Sequence, residues 1–486
     1  MINKDELSLF EKKLEIRFSN KVMTSPARGS NQAEFTKNCM EITSKMAGMI
    51  FQCDIRNCYA EYDQMITTIL SYDFDLLNFP FNTFNSNSIP RLLSMLMKTF
   101  PNTELFIKSI YLAEILSRGS CAKQFCHCEF ITIVIHCLQS FLYQNTKTNT
   151  NNDQYTENNS FIYHISNADH ILILITSLAN IFYQIDDAMI KYKDSLLDVL
   201  MSYLTFPFSS LLIERIYIVI SCMLKYHQYF NLQILTNMLP YFIKFLSMEI
   251  HPSQARTLII LQQMINIVPQ ISYSIITPIN LPIITHLGSH SCPDVRVSSI
   301  SILICSIKKC PADLKSLIYQ YLSFNWFLNI WNASQKETQE ALAELFYYLI
   351  ENNHSIAQGA IQSDVVSLLL NTVKNGQFSL SEIIIQNLIR ISLLGINEFL
   401  IYLLENNFTL ILDDYLDLEE SEINGFIVRF YFYIFQLYEK GTISVNNLDF
   451  DHLREQLFQQ KLKNRDLIHK RDLIIAQIDS ILEKVD

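Results

Sequence analysis

The sequence predicts an all-α protein, a right-handed α-solenoid of about nine repeats with a period near 42 residues. Three observations predict it. First, Gly 9 and Pro 12 in 486 residues fall far below the usual shares of about 7% and 5%. That disfavours turn-rich β structure. Second, apolar residues at helical spacing run almost without pause from Glu34 to about Leu448. Third, the last turns of the longest apolar helices recur. Taking Ile115, Asn180, Met223, Asn266, Ser306, Tyr348, Arg390 and Ile434 as reference positions, every step but the first is close to 42 residues.

The elements follow in chain order. Residues 1–33 are an N-terminal helix and a flexible arm. Leu7, Phe10, Leu14 and Phe18 share one side of a short amphipathic helix, and 19–33 lack any periodicity. The first eighteen residues carry charges throughout and no apolar core of the signal-peptide kind. Residues 34–448 are the repeat region, with a degenerate repeat at 34–72. The long first step has a visible cause in QNTKTNTNNDQYTENNS, residues 144–160, which is polar and low in complexity. Such a segment buries too little apolar surface to offset its ordering, so it is expected to be a disordered insert.

One stretch displays the unit most clearly. In SCPDVRVSSISILICSIKKCP, residues 291–311, Pro293 and Asp294 suit a helix start and Lys308 and Lys309 its last turn. Val297, Ile300, Ile304 and Ile307 form a stripe, yet Val295, Ile302 and Cys305 lie off it. A helix apolar on more than one face has to be sandwiched between neighbours.

Residues 449–486 change character to a charged C-terminal helix. Leu467, Ile474 and Ile481 are seven apart, as are Ile468, Ile475 and Leu482. That seam suits a helix closing the last repeat, and equally a self-association helix.

Segments 89–119, 281–311 and 337–376 resemble armadillo repeats: second helix, loop and third helix in the first two, and third, first and second helices in the last, with Gly359 near the tight turn. The resemblance implies a groove lined by third helices that takes an extended peptide. The importin alpha branch clamps a basic peptide there with Trp and Asn four residues apart. Asn180 and Asn266 match the Asn, but four residues earlier stand Tyr111, Thr176, Val219, Gln262, Ile302, Glu344, Gln386 and Phe430. None is Trp; Trp326 and Trp331 lie outside the third helices. The candidate partner-binding residues are therefore Tyr111, Thr176, Asn180, Gln262, Asn266, Glu344, Tyr348, Gln386 and Arg390. Asn180 and Asn266 have a second reading, as buried amides bonded to a neighbouring turn.

Composition narrows the function. Net charge −11 argues against nucleic acid. Hydrophobic residues are 49% and mean hydropathy is +0.15, but Ile171–Ile185, about the longest apolar run, is interrupted by Thr176, Ser177, Asn180 and Gln184. No membrane insertion is expected. The 11 Cys read as reduced core thiols, which points to cytosol or nucleus. Cys121, Cys126, His127 and Cys128 cluster, but their spacing is awkward for tetrahedral zinc. His286, His290 and Cys292 lack the Glu of a zinc protease and fall in a loop. No phosphate-binding glycine motif or nucleophile elbow is present. Asp413, Asp414, Asp417, Glu419, Glu420 and Glu422 read as a solvated acidic loop.

No catalytic residue, metal or cofactor is expected. The expectation is a non-enzymatic scaffold or adaptor that binds a protein or an extended peptide segment. The alternatives are a divergent nuclear import adaptor and a regulatory subunit of an enzyme complex.

Overall fold

The computed structural model describes residues 58–71, 88–118, 122–147, 168–184, 192–205, 209–247, 251–416, 422–444 and 448–483, with the single positions 41 and 45. The expected N-terminal helix and arm, and most of 144–160, lie outside them. Every regular element among the described residues is helical. The chain divides into two compact units, 1–188 and 189–486.

The described helices of the first unit are α1 (Tyr59–Ser71), α2 (Ser88–Thr99), α3 (Glu104–Ser117), α4 (Ala122–Phe125), α5 (Phe130–Lys147) and α6 (Ala168–Gln184). Here α1, α3 and α6 are third helices, each packed on the next. The low-complexity stretch begins inside helix α5, whose last turn takes in Gln144–Lys147. Those residues continue an apolar helical pattern long enough to carry a polar final turn.

The second unit begins with α7 (Lys193–Tyr203), α8 (Ser210–Leu224), α9 (Leu232–Leu246), α10 (His251–Ile267), α11 (Ser272–Ile275) and α12 (Asn280–Leu287). It continues with α13 (Pro293–Lys309), α14 (Ala312–Tyr321), α15 (Phe324–Ala333), α16 (Lys336–Asn352), α17 (Ser355–Gln362) and α18 (Val365–Asn375). It ends with α19 (Phe378–Ser392), α20 (Asn397–Glu405), α21 (Phe408–Leu416), α22 (Glu422–Glu439), α23 (Phe450–Gln459) and α24 (Arg465–Leu482). The third helices α8, α10, α13, α16, α19, α22 and α24 form one row, each against the next, and the second helices α15, α18, α21 and α23 form another. Short first helices such as α14, α17 and α20 join them. The chain is thus an all-α solenoid of armadillo-like repeats.

Side-chain caps set many of the starts. Thr103, Ser209, Asn231, Ser323 and Asp449 each accept from a backbone N–H three residues on, at 3.2, 3.4, 2.9, 3.1 and 3.1 Å. The period reappears in cross-repeat hydrogen bonds. Thr257 Oγ1 donates to Tyr217 Oη at 3.2 Å, Lys244 Nζ to the Leu204 carbonyl at 3.1 Å and Trp326 Nε1 to the Thr285 carbonyl at 3.0 Å, over sequence separations of 40, 40 and 41.

Helix α13 shows why the repeats cannot stand alone. Val295, Ile300, Ile302, Leu303 and Ile307 are all fully buried. They occupy more than one side of the helix, which lies between α10 and α16. At about 25 cal/mol per Å² of buried apolar surface, each neighbour is a large part of its stability.

Two glycines sit where a neighbouring aromatic presses in. A Cβ on Gly288 would lie 2.7 Å from Trp326 Cζ2, and one on Gly359 would lie 2.8 Å from Phe324 Cε2. Gly359 was expected at a tight turn, but it lies inside α17. Its requirement is close packing against α15, not backbone conformation.

The segment 449–486, expected as one helix, is two. Helix α24 packs on α22 in the third-helix position, with Leu467, Ile474 and Ile478 buried. Polar bonds hold α23 to its neighbours. Gln456 Nε2 donates to the Asp413 carbonyl at 3.2 Å, Asn424 Nδ2 to Gln460 Oε1 at 2.6 Å, and Gln460 Nε2 to the Leu416 carbonyl. Asp413, expected in a solvated loop, belongs to α21 and accepts from Tyr431 Oη at 3.0 Å. Tyr431 is fully buried, and half-burial pushes the Asp413 carboxyl up from its ordinary value.

Replacing Gly376 with Ala would place Cβ 2.3 Å from the Thr372 carbonyl oxygen. We expect G376A to cost about 1–3 kcal/mol, read as a lowered denaturation midpoint of the second unit. A carboxyl whose pKa is raised on folding costs stability above that pKa, and the cost fades as pH falls towards the unfolded value of about 3.9. D413N should therefore stabilise at neutral pH and lose that advantage near pH 4 (about the unfolded pKa), as paired denaturation curves at the two pH values would record.

Candidate binding surface on the third helices

The sequence-derived candidates fall into two sets. Tyr111 on α3, and Thr176 and Asn180 on α6, belong to the first unit. Gln262 and Asn266 on α10, Glu344 and Tyr348 on α16, and Gln386 and Arg390 on α19 belong to the second. Tyr111 is exposed and all the others are half-buried. A third helix buries most of its circumference, so these positions are the part of it that remains open.

In the first unit, Tyr111 meets His170 of the next third helix edge to face, 6.2 Å between ring centres. Partial burial pulls the His170 pKa down, against an opposing pull from Asp169. Thr176 Oγ1 donates to the Leu172 carbonyl at 2.7 Å. Asn180 Nδ2 donates to Ser117 Oγ at 3.0 Å, and Gln184 Nε2 to the Ser117 and Arg118 carbonyls at 3.3 and 3.2 Å.

The second unit repeats this cross-linking. Gln263 Nε2 donates to Ser221 Oγ at 2.9 Å, and Cys305 Sγ to Asn266 Oδ1 at 3.4 Å. The two asparagines thus bond neighbouring repeats, although both are half-buried and not buried. The register of the row also shifts locally. Ser306 is fully buried and bonds the Ile302 carbonyl, so Cys305 is the residue that faces Asn266. Likewise Met223 is buried and Ser221 makes the bond. Burial pushes the Cys305 thiol up to about 12.

Beyond α13 the row becomes aromatic and cationic. Lys308 Nζ stands over the Tyr348 ring at 4.3 Å. The Arg390 guanidinium carbon lies 3.5 Å from the centre of the Tyr347 ring and 5.9 Å from that of Tyr348. The two tyrosines meet edge to face at 4.9 Å, and Tyr347 Oη donates to Glu351. Burial pushes the Tyr347 hydroxyl up, and the Glu351 bond adds to it. For Lys308, burial acts to lower the pKa, but the Tyr348 hydroxyl and the nearby Glu344 outweigh it and the net shift is upward. Each such stacking contributes about 0.5–1 kcal/mol at an exposed site and more when desolvated. Lys308 and Tyr347 are missing from the sequence-derived set. Lys308 is legible as a last-turn cation, but its reach to the next repeat is not.

The remaining sequence candidates do not assemble. Cys126 is buried, and Cys128 accepts from Ser94 Oγ at 3.2 Å; Cys121 lies outside the described residues. His290 Nδ1 accepts from the Cys292 N–H at 3.0 Å. Among the described residues no group of three or more His, Cys, Asp or Glu is placed to hold a metal ion. No described helix is long and apolar enough to cross a membrane.

Comparison with known proteins supports the architecture alone. No protein-family model matches the chain, and no curated protein does. Among solved structures, an engineered protein determined by a structural genomics consortium is similar at a TM-score of 0.60 and 12% identity, over 90% of this chain and 99% of its own. Computationally designed armadillo repeat proteins for modular peptide recognition are similar at TM-score 0.42 and 10% identity, over 54% of this chain and 99% of theirs. A designed armadillo repeat protein in complex with the peptide (KR)4 stands at 0.38 and 9%, over 54% and 99%.

If Asn180 is a strut between repeats, N180A should lower the stability of the first unit by about 1 kcal/mol. Hydrogen exchange at the α3 and α6 amides would show it. Unchanged protection there would mean that the Ser117 bond carries no weight.

Proposed function

We propose that the chain is a non-enzymatic protein-binding scaffold that takes an extended segment of its partner along the third helices. One observation carries this reading. In the second unit Gln262 and Asn266 on α10, Glu344 and Tyr348 on α16, and Gln386 and Arg390 on α19 stay half-open along one row of third helices, while on the intervening α13 the matching Ile302 and Ser306 are buried. Rigid elements that present polar and aromatic side chains at a regular interval suit a ligand that is itself regular, such as an extended peptide. The adaptor role, and a setting in cytosol or nucleus, are part of the same proposal and rest on the sequence grounds given above. So does the exclusion of nucleic acid as partner.

Selecting extended peptides from a random display library against the full chain tests the reading. Binders are expected, and substituting Gln386 and Tyr348 with Ala should weaken them by about tenfold or more. A substitution of the exposed Leu410 on the second helix α21 should leave them unchanged. No binders, or binders indifferent to the third-helix changes, would refute it.

A further inference from the structure

The stretch of the row between α13 and α19 carries two cations seated on the tyrosines of α16. Lys308 and Arg390 are stacked on rings, and among the described residues no carboxylate lies within salt-bridge distance of either. Asn387 is 5% exposed; it turns its side-chain oxygen to Arg390 Nη1 at 3.4 Å and leaves its amide nitrogen without a hydrogen-bond partner. A buried donor without an acceptor is uncommon. The acids nearby are Glu351, engaged by Tyr347, and Glu344, which acts on Lys308 from α16. Lys308 and Lys309 also complement the end of the α13 dipole. That accounts for their charge, but not for the seating of Lys308 on the ring of the next repeat.

Resting on the binding reading above, we propose that this part of the surface is a subsite for an acidic extended peptide, with carboxylate side chains at alternate positions. The geometry bounds the spacing. Lys308 Nζ and the Arg390 guanidinium lie 4.3 and 5.9 Å from the centre of the same Tyr348 ring. Two groups so placed are separated by no more than the sum of those distances, about 10 Å. In an extended chain, side chains two residues apart share a face and are separated by roughly 6.5–7 Å. Two such carboxylates, reaching outward, meet one cation each. Arg390 offers its remaining guanidinium N–H groups and Lys308 its ammonium, and both side chains are already ordered by their rings. That ordering removes part of the entropy cost of forming charged hydrogen bonds. The net charge of −11 opposes an acidic ligand at long range, but beyond about 8 Å physiological salt screens it.

The test uses three fluorescent peptides of one length that alternate Ser with Glu, Lys or Gln, titrated against the full chain by anisotropy at physiological ionic strength, where the net charge of the chain is screened. The Glu peptide is expected to bind more tightly than the Gln peptide, and the Lys peptide more weakly than both. K308Q with R390Q should weaken the Glu peptide by about tenfold. Because Arg390 also packs on Tyr347, the single change K308Q at an exposed position is measured beside it and should cost about threefold. Equal binding of the Glu and Gln peptides, or a Glu affinity untouched by K308Q and the double change, overturns the proposal. If none of the three binds while display still yields binders sensitive to Tyr348 and Gln386, the acidic subsite fails and the binding surface stands. If display fails too, both fall.

Discussion

The structure depends on one constraint: its third helices are apolar on two sides. Helix α13 cannot cover Ile300 and Ile302, which point to opposite sides, without a neighbour on each side, and α10 and α16 supply the two walls. Stability in such an array is close to a sum of repeat terms and nearest-neighbour interfaces. The polar features follow from that arrangement. Once third helices lie side by side, their last turns are near enough for Gln263 to meet Ser221 and Asn266 to meet Cys305.

The same constraint shapes the second helices. Within α15, Phe324 and Trp326 reach in opposite directions along the sequence, to Gly359 and Gly288. Both glycines make room for an aromatic ring, and Trp326 adds a hydrogen bond to the Thr285 carbonyl. At the end of the second unit the solution differs. Asn424, Gln456 and Gln460 join α21, α22 and α23 through a network of amides and carbonyls. Such a network is worth its desolvation only when its bonds are made.

Much of the fold was legible because the repeat writes the same apolar pattern many times. Each of the eight reference turns lies in a long third helix, and Trp326 and Trp331 lie outside those helices, as read. Residues 144–147 misled because a helix propagates into polar sequence once its apolar turns are packed. Asp413 misled for a related reason: adjacent acids look solvated, but a partner such as Tyr431 comes from another helix. Of the binding surface, the row was legible but not its exact register. Whether Asn266 faces Ser306 or Cys305 depends on a rotation of about 100° per residue, which counting along the chain does not settle. The stacking of Lys308 and Arg390 on the paired tyrosines was not legible, because it joins three repeats and no local pattern encodes it.

That three-repeat origin has a mechanical side. Lys308, Tyr348 and Arg390 are carried by α13, α16 and α19, so the distances among them are set by two helix interfaces and not by any single helix. A small slip at one interface changes the distances that cross it while leaving each repeat intact. The relative placement of these cations and rings therefore follows the packing of three helices and not the conformation of any one of them.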